Sequence, residues 1–285
     1  MKDRKENGPK TNILAGLLIG LAAGYFGGLV GLGGGVVMIP LMVGVLRFSQ
    51  HKAHGTSLVA LVFTGLAGAF SYAREGSVDV LAAVLLASTA IFTARFGARF
   101  AHALPEWKLR RSFGAFLIAV SLLLLLKPYI FHASHRIGEW PEALILLFVG
   151  LFTGFLSGMM GVGGGSLMVP AMVLLTGFSQ HTAQGSSLLA MVPAGAVGAY
   201  THWRLGNVNA QILPGLILGI IAGSYLGGFS AHLLSEGALR AVFAAVLIWT
   251  GARYLRTPRP KEEKEAKPEA EPAASNPGKS SPPTT

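Results

Sequence analysis

With 285 residues, 52% of them hydrophobic and 13% charged, and a mean hydropathy of +0.55, the chain is too apolar for a water-soluble domain and reads as an integral membrane protein. Its formal net charge of +10 does not indicate a nucleic-acid partner, because the basic residues stand at the ends of apolar runs and not along one face. The absence of cysteine excludes disulfides, thiolate metal sites and a cysteine nucleophile, and no metal or other cofactor is expected.

Residues 1–12 form a charged tail with Lys2, Arg4, Lys5 and Lys10, and the first apolar span runs from Ile13 to Val30. A basic start before an apolar run is also the form of a signal peptide. Here no small-x-small cleavage motif followed by a polar mature domain comes after Val30, and the run has an internal counterpart near residues 143–160 that cannot be cleaved. The span breaks at Gly31-Leu32-Gly33-Gly34-Gly35. The apolar piece that follows, Val36 to Leu46, is too short to cross a hydrocarbon core of about 30 Å at about 1.5 Å per residue, and predicts a half-helix. After the polar stretch Arg47 to His54 come spans at Gly55–Ala73 and Val78–Ala94, with Asp79 placed where a carboxylate favours a helix dipole. The basic segment Arg95–Arg111 leads into a last span, Ser112–Leu126.

The glycine run then recurs. Gly28 to Pro40 is answered by Gly158 to Pro170, and Phe48-Ser49-Gln50-His51-Lys52-Ala53-His54-Gly55-Thr56-Ser57-Leu58 by Phe178-Ser179-Gln180-His181-Thr182-Ala183-Gln184-Gly185-Ser186-Ser187-Leu188, at one constant offset without a gap. Similarity this long makes residues 13–127 and 142–255 two copies of one design, joined by a linker at 128–141. The second copy predicts spans at Glu142–Ser157, Gly185–His202, Val208–Ala231 and Gly237–Leu255, with a half-helix at Ser166–Leu175. Residues 256–285 are Pro, Glu, Lys, Ala and Ser with nothing to bury, and predict a disordered tail.

The expected fold is therefore an all-α polytopic membrane protein of two repeats with about five helical elements each, the Gly-rich broken or re-entrant half-helices meeting near the midplane. An odd number of crossings per repeat inverts the second copy relative to the first. The N-terminal tail, Arg47, Lys52, the Arg95–Arg111 segment, Arg204 and the C-terminal end fall on one side; Arg74, Lys127, Arg136 and Arg240 fall on the other. The basic excess puts both termini in the cytoplasm.

Interrupted helices in inverted repeats point to a transport site at the interface between copies. Broken backbone at membrane depth must be buried in protein or line a wet cavity, and its free N–H groups at the start of a helix suit an anion. Gly33, Gly34 and Gly35, with Gly163, Gly164 and Gly165, would supply those donors, and Pro40 and Pro170 fit near the first turn of the short helices. The competing reading is that small residues only let helices pack closely; duplication of the triplet, each time before a short apolar segment and a proline, favours the site. Thr56, Ser57, Ser166, Ser186 and Ser187 offer uncharged hydroxyls, with Gln184 beside them, although Thr56 and Ser186 equally fit as helix N-caps. Gln50, Gln180 and His54 would add polar contacts. His51 and His181 recur at matched positions, as proton relays or as polar residues of interfacial loops. Arg74 and Arg204 read as solvated turn anchors. No Asp or Glu falls mid-span, which favours an anionic or neutral substrate over a cation.

Gly-Leu-Gly-Gly-Gly with Pro40, Ala53-His54-Gly55-Thr56-Ser57-Leu58 and Arg74-Glu75-Gly76-Ser77-Val78-Asp79, with their second-copy counterparts, resemble the sulfite exporter TauE/SafE family, also called the toluene-sulfonate uptake permease family. The resemblance covers essentially the whole membrane part. It implies a carrier, not an enzyme, that moves sulfite, sulfoacetate or related sulfur compounds across the bacterial cytoplasmic membrane. The second copy departs from the first in Gln184 for His54 and in Asn207 and Asn209 for Ser77 and Asp79. The expected activity is export of a small sulfur-containing anion by alternating access, which an inside-negative potential favours without a coupling ion; the histidines leave proton coupling open. An anion channel and a carrier for another small organic anion are the alternatives.

Overall fold

The computed structural model describes residues 9–100, 106–130, 138–160 and 164–257. Residues 1–8, 101–105, 131–137, 161–163 and 258–285 lie outside them, and with these half of the expected linker, nearly all of the C-terminal tail and Gly163. The described residues form ten α-helices and no strand: α1 (Pro9–Val30), α2 (Gly35–Gly44), α3 (Gln50–Arg74), α4 (Val80–Phe100), α5 (Glu106–Ile130), α6 (Glu139–Met160), α7 (Gly165–Leu175), α8 (Gln180–Arg204), α9 (Leu213–His232) and α10 (Glu236–Leu255). Helices α1, α3, α5, α6, α9 and α10 are long and apolar enough to cross a membrane; α2 and α7 are short apolar pieces.

Several helix ends differ from expectation. Helices α3 and α8 start at Gln50 and Gln180, ahead of Gly55 and Gly185, because Ser49 and Ser179 are extended residues whose Oγ atoms accept the Lys52 and Thr182 amides at 3.4 and 3.1 Å. Thr56 and Ser186 are thus not N-caps. Helix α9 starts at Leu213, not Val208, since Asn209 Oδ1 takes the Gln211 amide at 3.0 Å and holds a turn before the helix. Asp79 does cap α4, accepting the Ala82 amide at 2.9 Å. Pro40 and Pro170 sit in the interior of α2 and α7 and not in the first turn, so each removes one intrahelical bond.

Packing joins the two halves throughout. Helix α1 lies parallel on α9, with Gly16, Gly20, Gly24 and Gly28 against Ile212, Leu216, Ile220 and Ser224, and with Gly215, Gly219, Gly223 and Gly227 against Ile13, Leu17, Leu21 and Tyr25. The repeat-equivalent pair, α6 and α4, packs in the same sense, Gly150 and Gly154 meeting the backbone of Leu86 and Ala90. Helices α3 and α8, equivalent to each other, run antiparallel, with Leu58 opposite Gly198, Leu61 opposite Gly195 and Leu188 opposite Gly65. Helices α5 and α10 are likewise antiparallel, joined at Gly114 and Gly251 and by the Arg111 guanidinium on the Thr257 carbonyl at 2.9 Å. Lipid chains are as apolar as leucine, so helix association in a bilayer relies on close van der Waals contact, which these glycines permit.

A Cβ at Gly219 would collide with the Leu17 carbonyl oxygen, whereas one at Gly237 would meet nothing within 4 Å. Gly219→Val is expected to destabilise the protein by about 1–3 kcal/mol, the range typical of overpacking. Gly237→Ala serves as the neutral control in a thermal melt in detergent, and equal melting temperatures would refute the seam.

Candidate functional site

The site is built at the break between α1 and α2. Gly31, Gly33 and Gly34 have φ of 72°, 80° and 73°, a left-handed region costly for any residue with a Cβ, and Gly34 is the N-cap of α2. The Val37 and Met38 amides return to the Gly34 carbonyl at 3.1 and 2.9 Å, and the amides before them have no intrahelical carbonyl to bond. The start of α7 repeats this pattern at Gly164, which takes Leu167 and Met168 at 3.1 and 3.0 Å, yet Gly164 has φ −79° in the right-handed region. The two N-caps thus share a sequence setting but not a backbone conformation. Neither N-cap has a side-chain hydrogen bond.

The two breaks touch. A Cβ at Gly165 would collide with the Gly31 carbonyl oxygen, and Gly33 faces Leu61 and Met191, which are equivalent positions of the two copies. Gln184 packs its stem on Gly31 and accepts the Tyr72 hydroxyl on Oε1 at 2.7 Å. Ser187 Oγ lies 3.0 Å from the Gly31 carbonyl and 2.9 Å from that of Gln184, sharing its hydrogen between them. Thr153 closes over Gly164. Among the described residues, the fully or nearly fully buried Gln184 Nε2, Ser166 Oγ and Thr153 Oγ1 have no hydrogen-bond partner. Burying such a group unpaired costs about 1–3 kcal/mol, so three around one junction mark a place equipped with donors. Beside it, between the α1–α2 break and α10, lies an apolar cavity of about 350 Å³ lined by Phe26, Val30, Gly34, Val37, Val246 and Trp249.

The hydroxyl pairs do not all converge there. With Leu188 opposite Gly65, Ser186 stands level with about Gly68, so Thr56 is displaced from it by about 18 Å along the antiparallel pair. Each instead finishes a turn of the other copy. Ser186 Oγ accepts the Asp79 amide at 2.8 Å, and Thr56 Oγ1 accepts the Asn209 amide at 3.1 Å. Next to them, a Cβ on Gly185 would strike the Ser77 carbonyl and one on Gly55 the Asn207 carbonyl. Ser57 Oγ donates to the His54 carbonyl at 2.8 Å. Gln180 is fully buried with no partner among the described residues, the Gln50 side chain is outside the described set, and His51 is exposed. His181 is half-buried with Nε2 3.0 Å from the Ala231 carbonyl.

Sequence reading missed Tyr72, Thr153 and His232. Tyr72 has His202 as its equivalent, so no repeated residue marked it; Thr153 and His232 lie inside apolar runs where a lone polar residue is ordinarily satisfied by the backbone.

The family model described as Sulfite exporter TauE/SafE matches residues 16–254. A probable membrane transporter protein YunE of Bacillus subtilis is 29% identical over 262 residues, covering 84% of this chain and 96% of that protein. A probable membrane transporter protein of Xylella fastidiosa is 32% identical over 242 residues, covering 84% of this chain and 91% of that protein. No solved structure matches.

Replacing Ser186 or Thr56 with alanine leaves a partly buried backbone amide without its acceptor, and each variant is expected to lose about 1–3 kcal/mol of stability. Melting curves in detergent check this. Unchanged melting with a selective loss of substrate affinity would make these hydroxyls ligands instead of interlocks.

Proposed function

The chain belongs to the sulfite exporter TauE/SafE family of membrane transporters, and we propose that it is a secondary carrier of a small sulfur-containing oxyanion, sulfite or an organosulfonate such as sulfoacetate, exported by alternating access. The observation that carries this reading is the junction itself. The N-terminus of α7, at Gly165, lies on the Gly31 carbonyl of the break that leads into α2, Gln184, Ser166 and Thr153 beside it hold buried polar atoms with no partner among the described residues, and no carboxylate stands mid-span. Helix N-termini and neutral donors bind an oxyanion without the cost of burying a cation.

Alternating access needs two arrangements of one barrier, and the duplication supports that. The antiparallel course of α3 against α8 and of α5 against α10 fits a second copy, 142–255, inverted relative to 13–127, with both termini cytoplasmic. The short helices α2 and α7 then enter from opposite faces and return, their N-termini near the midplane. The candidate donors are buried, so this is a closed state, and binding requires the copies to move apart on one side. Outward movement of an anion is favoured by an inside-negative potential, about 2.3 kcal/mol per charge per 100 mV, so export needs no coupling ion.

The test is flux in proteoliposomes with sulfite, thiosulfate, sulfate, sulfoacetate and taurine. Saturable uptake with counterflow of one of them is expected; flux without saturation or counterflow would make the protein a channel. Removing one donor to the anion, in Gln184→Leu or Ser166→Ala, is expected to weaken apparent affinity by about ten-fold, the effect of about 1.4 kcal/mol. Full affinity in both variants, with protein of normal melting temperature, would remove the junction from the site.

A further inference from the structure

We infer that His181 and His232 form a single proton-binding site wired through Tyr72 and Gln184 to the Gly31 break, so that a proton held there tightens the grip on the anion; this rests on the carrier reading above. His181 is in the first turn of α8 and His232 ends α9, their ring centroids 5.0 Å apart at an interplanar angle of 33°. Both are half-buried, close enough to water to exchange a proton and shielded enough for its charge to be felt. Two imidazolium rings at this spacing would repel each other, so the geometry suits one positive charge shared by the pair and not two.

The surroundings suit a group that changes charge. The Gly228 carbonyl, 2.9 Å from His232 Nδ1, can only accept, so that nitrogen carries a hydrogen. Nε2 lies 3.2 Å from Ser77 Oγ, a hydroxyl that donates to the neutral ring and, by rotating, accepts from the charged one. His232 is therefore bonded in both states without moving. His181 gives its Nε2 hydrogen to the Ala231 carbonyl at 3.0 Å. The titratable neighbours facing the pair are Tyr72 from α3, its ring 4.8 Å from that of His232, and each histidine to the other. Of the carboxylates nearest in the chain, Asp79 caps α4 and Glu236 lies 3.8 Å from Arg240.

The link to the junction is continuous. Tyr72 stacks edgewise on His232 and passes its hydroxyl hydrogen to Gln184 Oε1 at 2.7 Å, and the Gln184 stem rests on Gly31. Gln184 Nε2, buried and unpartnered among the described residues, is left to face the anion. Positive charge on the histidine pair raises the junction's affinity for an anion, and by linkage a bound anion holds the proton more tightly by the same factor. At the mirror positions the equivalents of Tyr72 and Gln184 are His202 and His54, so the Tyr72–Gln184 pair itself is not repeated in the sequence.

The experiment measures sulfoacetate binding to the protein in nanodiscs at about pH 6 and about pH 8, the range in which histidine changes charge. Wild type is expected to bind at least about five-fold more tightly at the lower pH, the small end of ordinary allosteric coupling. His181→Gln/His232→Gln should lose that difference, and Tyr72→Phe should reduce it while leaving proton uptake intact. If the double variant does not fold, the single variants His181→Asn and His232→Gln carry the same comparison. Nitrogen-15 histidine spectra without any anion should show the pair taking one proton across the range. Two independent protonations, or a pH dependence that survives in the histidine variants, would overturn the proposal. Counterflow of sulfoacetate at equal pH on both sides reads the carrier separately: counterflow with pH-independent binding overturns the proton site alone, whereas neither binding nor counterflow overturns the carrier reading and the coupling with it.

Discussion

A backbone amide inside a bilayer has no water to bond, and the protein must supply its partner. The architecture answers that constraint at the glycine runs, where α1 gives way to α2 and α6 to α7. A chain that stops a helix at membrane depth exposes several amides at once, and only contact with other protein or a bound polar group makes this tolerable. Here the breaks are pressed onto each other. Gly165 can lie on the Gly31 carbonyl only because it has no Cβ, and Ser187 reaches the same carbonyl from α8. What remains uncovered is a small set of buried polar atoms, on Gln184, Ser166 and Thr153, with no partner among the described residues.

The same constraint explains why one copy does not suffice. The turn ahead of α4 leaves the Asp79 amide pointing inward, and Ser186 of the other copy accepts it; the turn ahead of α9 leaves that of Asn209, and Thr56 accepts it. The bond is made twice, with the partners exchanged. The flanking glycines repeat the logic, Gly185 under the Ser77 carbonyl and Gly55 under that of Asn207. Each half therefore completes the hydrogen bonding of the other, and the parallel α1–α9 and α4–α6 seams extend that exchange over the length of the bundle.

The helices and their number were legible from the offset repeat, because duplication separates signal from composition. Helix starts were less so. Gly55 and Gly185 looked like beginnings because glycine disfavours helix interiors, but Ser49 and Ser179 supply better caps, and the glycines are needed inside the helix for contact with a crossing turn. Thr56 and Ser186 were recognisable as special and yet serve contacts more than a hundred residues away in the chain, which no local pattern encodes. Thr153 and His232 were invisible for the opposite reason, each a lone polar residue in an apolar run, and Tyr72 because its equivalent is His202; only the fold links them to the junction.

Divergence between the copies matters as much as their likeness. Two identical halves would give a barrier whose two closed forms are equal in energy and whose ends bind alike. This chain keeps the interlocking residues paired in kind, Thr56 with Ser186 and Gly55 with Gly185, while it varies those near the breaks: Tyr72 against His202, Gln184 against His54, and a left-handed Gly34 against a right-handed Gly164. The backbone difference is the telling one. Restoring the mirror arrangement would require Gly34 and Gly164 to exchange conformations, a change that glycine permits at little steric cost and that any side chain would obstruct. Equivalent positions thus hold the same residue type in two backbone conformations, a divergence between the copies that only glycine accommodates at both.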